Sequence, residues 1–222
     1  MEIHADFSKI VALNTGELDW VPSPMKGVDR RMLDRIGDEV ARATSIVRYA
    51  PGSEFPEHTH SGGEEFIVLE GVFQDEHGDY PAGTYVRNPI GTHHVPRSEP
   101  GCTIFVKLWQ FAPDDTKQFS VDLGALEFGD PRDGVASTVI HSVPGETVAA
   151  ELWDVGAMQS VSDPDGVEIL VLDGSLQSSE GELRKHDWLR LPRGASTELT
   201  AGPDGAFVWR KSGHLGSITI PR

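Results

Sequence analysis

Apolar and polar positions along this chain come in short runs bounded by glycine and proline. Thr44-Ser-Ile-Val-Arg-Tyr49 alternates loosely, Glu64-Glu-Phe-Ile-Val-Leu69 is an apolar run that opens on two carboxylates, and Gly101-Cys-Thr-Ile-Phe-Val-Lys-Leu-Trp109 has the same strand-like character. A side-chain period of two is the signature of a strand, whose successive residues point to opposite faces. Asp34-Arg-Ile-Gly-Asp-Glu-Val40 reads as an extended lead-in to the first of these runs. The 24 glycines and 15 prolines are spread throughout, which suits many short strands joined by tight turns. The pattern predicts an all-β chain.

The pattern also repeats. Displacing the chain by 103 residues sets Glu65-Phe-Ile-Val-Leu-Glu-Gly71 on Glu168-Ile-Leu-Val-Leu-Asp-Gly174, Gln74 on Gln177 and Gly78 on Gly181. Tyr85-Val-Arg87-Asn-Pro89-Ile-Gly91 falls on Trp188-Leu-Arg190-Leu-Pro192-Arg-Gly194. A gap-free match of this length points to duplication rather than to shared turn chemistry. Three segments follow: an N-terminal arm over residues 1–38, a first repeat over 39–118, and a connector with the second repeat over 119–222. Trp20 with Pro22 and Pro24 suggests an arm that packs, and 119–137, with Gly-Asp-Pro-Arg-Asp-Gly at 129–134, reads as the connector.

The chemistry lies in the first repeat. His58 and His60 are two apart and share a strand face, Ser61-Gly62-Gly63 is a turn, and Glu64 opens the next run. Three ligand groups from one hairpin, with a histidine from Gly83-Thr-Tyr-Val-Arg-Asn-Pro89-Ile-Gly91-Thr-His93-His94, make a four-ligand metal site. Nitrogen and oxygen ligands without sulfur suit zinc, iron(II), manganese, nickel or copper, and the set does not choose among them. Three neutral imidazoles and one carboxylate around a divalent ion leave a site of charge +1. Strand parity puts Phe66 and Val68 beside Glu64, and Glu65 on the other face with a structural task it shares with Glu168. The conserved pairing of Tyr85 and Arg87 with Trp188 and Arg190 predicts packing rather than catalysis. In the second repeat the ligand positions hold Val161, Asp163, Val167 and Thr197, so it is expected to be a structural and interface unit without metal.

Composition narrows the partners. Nineteen Lys and Arg against 35 Asp and Glu give a net charge of −16, which disfavours direct nucleic-acid binding and would attract a basic partner. Cys102 is the only cysteine, which excludes an intrachain disulfide and fits a reducing cytoplasm; a small packed residue is its expected role. No signal peptide or membrane span is indicated.

The two motifs, G-x5-H-x-H-x3-E-x6-G and G-x5-P-x-G-x2-H, resemble the signature pair of the cupin superfamily. That resemblance implies small antiparallel barrels, so the expected architecture is two tandem cupin jelly rolls, a bicupin whose second roll is degenerate. The spacing from Pro89 and Gly91 selects His94 over His93 as the fourth ligand. One position departs from the family, which often carries asparagine where this chain has Ser98. Arg48-Tyr-Ala-Pro-Gly-Ser-Glu-Phe-Pro-Glu-His58-Thr-His60-Ser-Gly-Gly-Glu64-Glu and the stretches Gly71–Pro89 and Gly101–Leu108 are similar to the ChrR-type cupin. The resemblance carries zinc over to His58, His60, Glu64 and His94, with iron, manganese or nickel as alternatives.

In the ChrR anti-sigma factor such a cupin follows a helical zinc domain that holds a sigma factor, and the cupin is associated with singlet-oxygen response. The His-x3-Cys-x2-Cys motif of that helical domain is not present here, so sigma-factor binding is not expected of this chain. The resemblance implies a sensor or regulatory module for oxidative stress or a small ligand. The alternative is a metal-dependent dioxygenase acting on a small chelating substrate such as a β-diketone. A homodimer paired through sheet edges is compatible with either.

Overall fold

The computed structural model describes residues 1–221 and is all-β, with two short 3-10 turns as its helical content among those residues. Contacts divide the chain into two units. The first comprises Met1–Ala5 and Asp19–Ala125 with Thr219 to Pro221, and the second comprises Asp6–Leu18 and Leu126–Ile218.

In the first unit the strands run, in sheet order, Glu2–Ile3, Val28–Gly37, Ala41–Tyr49, Cys102–Leu108, Glu64–Asp75, Thr84–Asn88 and Phe119–Asp122. Every neighbouring pair is antiparallel. A short ribbon of His58–Thr59 with His93–His94 completes it. In the second unit the order is Val135–Val143, Glu146–Trp153, Ser196–Ser212, Val167–Ser178, Trp188–Leu191 and Val11–Leu13. The duplication read from the sequence returns as matched strands, since Glu64–Asp75 and Gly78–Pro81 recur as Val167–Ser178 and Gly181–Arg184.

One backbone device recurs with them. Gly71 has φ of 71° in the middle of its strand, and a Cβ there would stand 2.0 Å from the carbonyl oxygen of Gly101. Gly174 has φ of 70°, with the oxygen of Gly205 at 2.1 Å from the same added atom. Both the hand of the backbone and the space exclude a side chain. Gly71→Ala should therefore lower the thermal midpoint, by strain of roughly 1–2 kcal/mol before the backbone clash is counted. An unchanged melting curve would show that the strand can swing clear of Gly101.

Glu64, Phe66 and Val68 face inward as strand parity requires, and Phe66 and Val68 pack in a core with Val47, Tyr49, Phe73, Ile104 and Val106. Cys102 belongs to that core, and burial pushes its thiol pKa up to about 11, which suits packing and not thiolate chemistry. The other face of the same strand is also buried. There Glu65 accepts hydrogen bonds from the Tyr85 hydroxyl at 2.6 Å and from Arg87 Nη1 at 2.9 Å, and Arg87 Nη2 pairs with Asp115. Burial, and then the charge of Glu65, holds Tyr85 well above its ordinary pKa, so its hydroxyl is a donor. In the second unit Glu168 accepts from Trp188 Nε1 at 3.3 Å and lies 3.0 Å from His214 Nε2. The task shared by Glu65 and Glu168 is to anchor a buried polar layer.

The structure draws the segment boundaries differently from the sequence. Residues 1–38 are not an arm, because Val28–Gly37 is an inner strand of the first sheet and Val11–Leu13 is an edge strand of the second. Arg30 and Arg35 on the strand, and a bulge between Met32 and Asp34, break the alternation that would have revealed it. Phe119–Asp122, assigned to the connector from sequence, pairs with Thr84–Asn88 in the first unit. No helix among the described residues is long and apolar enough to cross a membrane.

Candidate metal centre

Each side chain of the site is placed by a local feature. His58 and His94 stand directly opposite each other in the short antiparallel ribbon, so their rings meet on one face with centroids 5.0 Å apart. The turn after His60 needs both glycines. A Cβ on Gly62 would lie 2.2 Å from the Trp109 ring and one on Gly63, at φ of 75°, 2.4 Å from the Phe111 ring. Glu64 then enters the sheet opposite Asn88 and Leu108.

The four side chains named from sequence converge. One ligand atom from each of His58, His60, Glu64 and His94 lies within 4.8 Å of every other. His60 Nε2 is 3.2 Å from His94 Nε2, and Glu64 Oε1 is 3.4 Å from the former and 3.5 Å from the latter. Two donor atoms sharing an ion at the ~2.0–2.1 Å typical of nitrogen and oxygen ligands lie about 3.0–3.4 Å apart, depending on the coordination angle. The observed separations are of that size. His93, the competitor for the fourth place, is exposed opposite Thr59, whereas His94 is 2% exposed.

The second nitrogen of each imidazole decides the chemistry. His58 Nδ1 lies 3.1 Å from the Pro56 carbonyl, which can only accept, so Nδ1 carries the proton. His94 Nδ1 faces Asp75 Oδ2 at 3.3 Å, and Asp75 is itself fixed by the amides of His77 and Gly78. His60 Nδ1 is 2.9 Å from Thr92 Oγ1, whose one proton already goes to the Pro89 carbonyl. His58 and His60 therefore donate through Nδ1, and His60 and His94 turn their Nε2 atoms toward each other. Two imidazole nitrogens 3.2 Å apart beside a carboxylate make a place for a cation, and the separations are those a divalent metal fits. Asn88 reaches Glu64 at 3.4 Å and is oriented in turn by Gln118 at 3.1 Å.

The electrostatics agree with that arrangement. Burial pushes the His60 pKa down to about 4, the Glu64 charge offsetting only part of it, so the ring is neutral at ordinary pH. Burial opposes the charged form of His94 too, but the hydrogen bond to Asp75 and the Glu64 charge outweigh it and raise its pKa. A cavity of about 400 Å³ adjoins the cluster, walled by Val47, Tyr49, Phe73, Ile104, Val106 and Trp109. Thr92, Asp75, Asn88 and Gln118 were not singled out from sequence. The first lies two residues before His94, but the others depend on strand pairing that no local spacing reveals.

In the second unit the duplicated positions have changed character. Val161 and Val167 are packed into its apolar core, and Asp163 Oδ1 accepts the amide of Asp165 in a turn.

An antiparallel all-β fold in which one hairpin and the ribbon strand facing it gather three histidines and a glutamate that could hold a metal defines a cupin-type domain. Residues 8–112 match the ChrR Cupin-like domain family. No curated protein matches the chain in sequence. Among solved structures it is similar to a "putative dioxygenase" of Nostoc punctiforme, at TM-score 0.74 and 14% identity over 96% of this chain and 86% of that one. Protein YlbA of E. coli follows the same fold at TM-score 0.68 and 13% identity, covering 93% of this chain and 92% of the other. Oxalate decarboxylase of Lactobacillus farciminis does so at TM-score 0.65 and 11% identity, covering 95% and 87%. At these identities the likeness establishes the fold.

Proposed function

We propose that this protein is a bicupin of two tandem jelly-roll barrels, in which His58, His60, Glu64 and His94 hold one divalent metal and the second roll holds none. The observation that carries the reading is the convergence of the four side chains, each imidazole tied to an oxygen through Nδ1 and the Nε2 atoms of His60 and His94 turned to Glu64. Its function is that of a regulatory or sensory module, in which a small ligand or an oxidant acts at the metal. The match of residues 8–112 to the ChrR Cupin-like domain family supports that reading. Zinc heads the candidates, with iron, manganese and nickel following.

A second reading, a metal-dependent dioxygenase, is favoured by the cavity of about 400 Å³ beside the cluster, which is room for a small substrate. The fold shared with the Nostoc protein is compatible with it. In that case the bound metal would supply Lewis acidity and redox capacity, while this chain's residues orient the substrate and exclude water.

Protein purified without added metal, analysed for metal per chain, tests both. We expect a ratio near one, because the duplicated positions hold two valines, a threonine and an aspartate engaged in a turn. A value near two would overturn the degenerate second roll. Tightly held zinc supports the sensor, and iron or manganese the oxygenase.

A further inference from the structure

The cavity beside the cluster contains a cation that nothing in the protein uses. Arg30 stands opposite Val47 on the neighbouring strand, and Val28 opposite Tyr49, and all four line the cavity. Arg30 Nε is buried without a hydrogen-bond partner, and its guanidinium makes no ion pair among the described residues. Its neighbours are committed. Arg35 donates to the carbonyls of Gly37 and Asp38, and Arg31 lies over the Trp20 ring, as does Arg48.

A guanidinium has five donors and no acceptor; Arg30 as a whole is half-buried, and Nε is the donor that is shut away from water without a partner. Tyr49 adds another donor to the same cavity. Burial, and then the Glu64 charge, keeps its phenol protonated, and its hydroxyl makes no hydrogen bond among the described residues. The remaining wall is apolar, with Ile104 and Val106, and the exposed Glu39 is the only carboxylate lining the cavity besides Glu64.

We propose that this cavity takes a small anionic chelator, a molecule whose carboxylate pairs with Arg30 while its other oxygens reach the metal. The inference rests on the metal reading above and adds the charge and class of the ligand. A neutral β-diketone would fill the space but leave Arg30 without a partner. In a chain of net charge −16, a spare guanidinium on a cavity wall is a local positive charge to which an anion would be drawn.

The test uses the full chain loaded with cobalt(II), titrated with malonate and with acetylacetone and followed by calorimetry and the visible spectrum of the metal. Malonate should bind and alter the spectrum. Arg30→Gln should weaken it by about tenfold or more while leaving cobalt affinity within about threefold. Arg48→Gln, which removes the same charge from an exposed site outside the cavity, should leave malonate affinity unchanged. Equal malonate affinity in Arg30→Gln, or tighter retention of acetylacetone than malonate by the unaltered chain, would overturn the proposal alone. A chain that takes up no cobalt would overturn the metal reading and this inference together.

Discussion

His94→Ala should lose tight metal binding, while His93→Ala should keep it. The two residues are adjacent and chemically identical, so the contrast isolates geometry. His94 Nε2 faces His60 Nε2 at 3.2 Å and Glu64 at 3.5 Å, and its Nδ1 is held by Asp75. His93 is turned to solvent on the opposite face of the ribbon. Removing a partner that merely orients a ligand costs about 10–100-fold in affinity, so removing a ligand should cost more than about 100-fold. His93→Ala should shift affinity by less than about threefold, and Asp75→Asn should fall between, near tenfold. Competition with a chromophoric chelator reads all three. A larger loss from His93→Ala than from His94→Ala would mean that the ribbon pairs in another register.

Arg87→Met should be the most destabilising of the changes outside the metal site. Arg87 is fully buried and bridges Glu65 at 2.9 Å to Asp115. Methionine fills similar volume, so the loss is electrostatic and not a cavity. Taking one partner from a buried pair costs about 3–5 kcal/mol, because the carboxylates left behind remain out of water. Arg48→Met supplies the comparison. The Arg48–Asp29 pair has a similar separation, 2.8 Å, but is exposed, and should be worth less than about 1 kcal/mol. Denaturant midpoints measure both, and similar small shifts would show that water reaches the Glu65 layer.

The ligand set was legible because it depends on short-range periodicity. His58, His60 and Glu64 are fixed by one hairpin, and His94 by a turn of defined length. The repeat was legible for the same reason, since Gly71 and Gly174 mark the same backbone contortion in both copies. The N-terminal region was not. Val28–Gly37 carries Asp29, Arg30, Arg31, Asp34 and Arg35 in ten residues and looks like a solvated segment, yet it is an inner strand because its charges find partners or a cavity. Phe119–Asp122 is only four residues long and exists through pairing with Thr84–Asn88. Neither could be found without knowing what lies across the sheet.

The pairing of Val11–Leu13 with Trp188–Leu191 has a consequence for how the chain is made. Thr15, whose amide is bound by the Asp187 carboxylate at 2.8 Å, leaves the ribosome 172 residues before its partner. The Val11–Leu13 segment must wait, unpaired, while the metal-site unit is made behind it, and it finds its sheet only once Trp188–Leu191 has emerged. Contacts so distant in sequence form late and slowly. Val11–Leu13 is thus the closing stitch of the second sheet, and a change in that strand would disturb strands that are translated long after it.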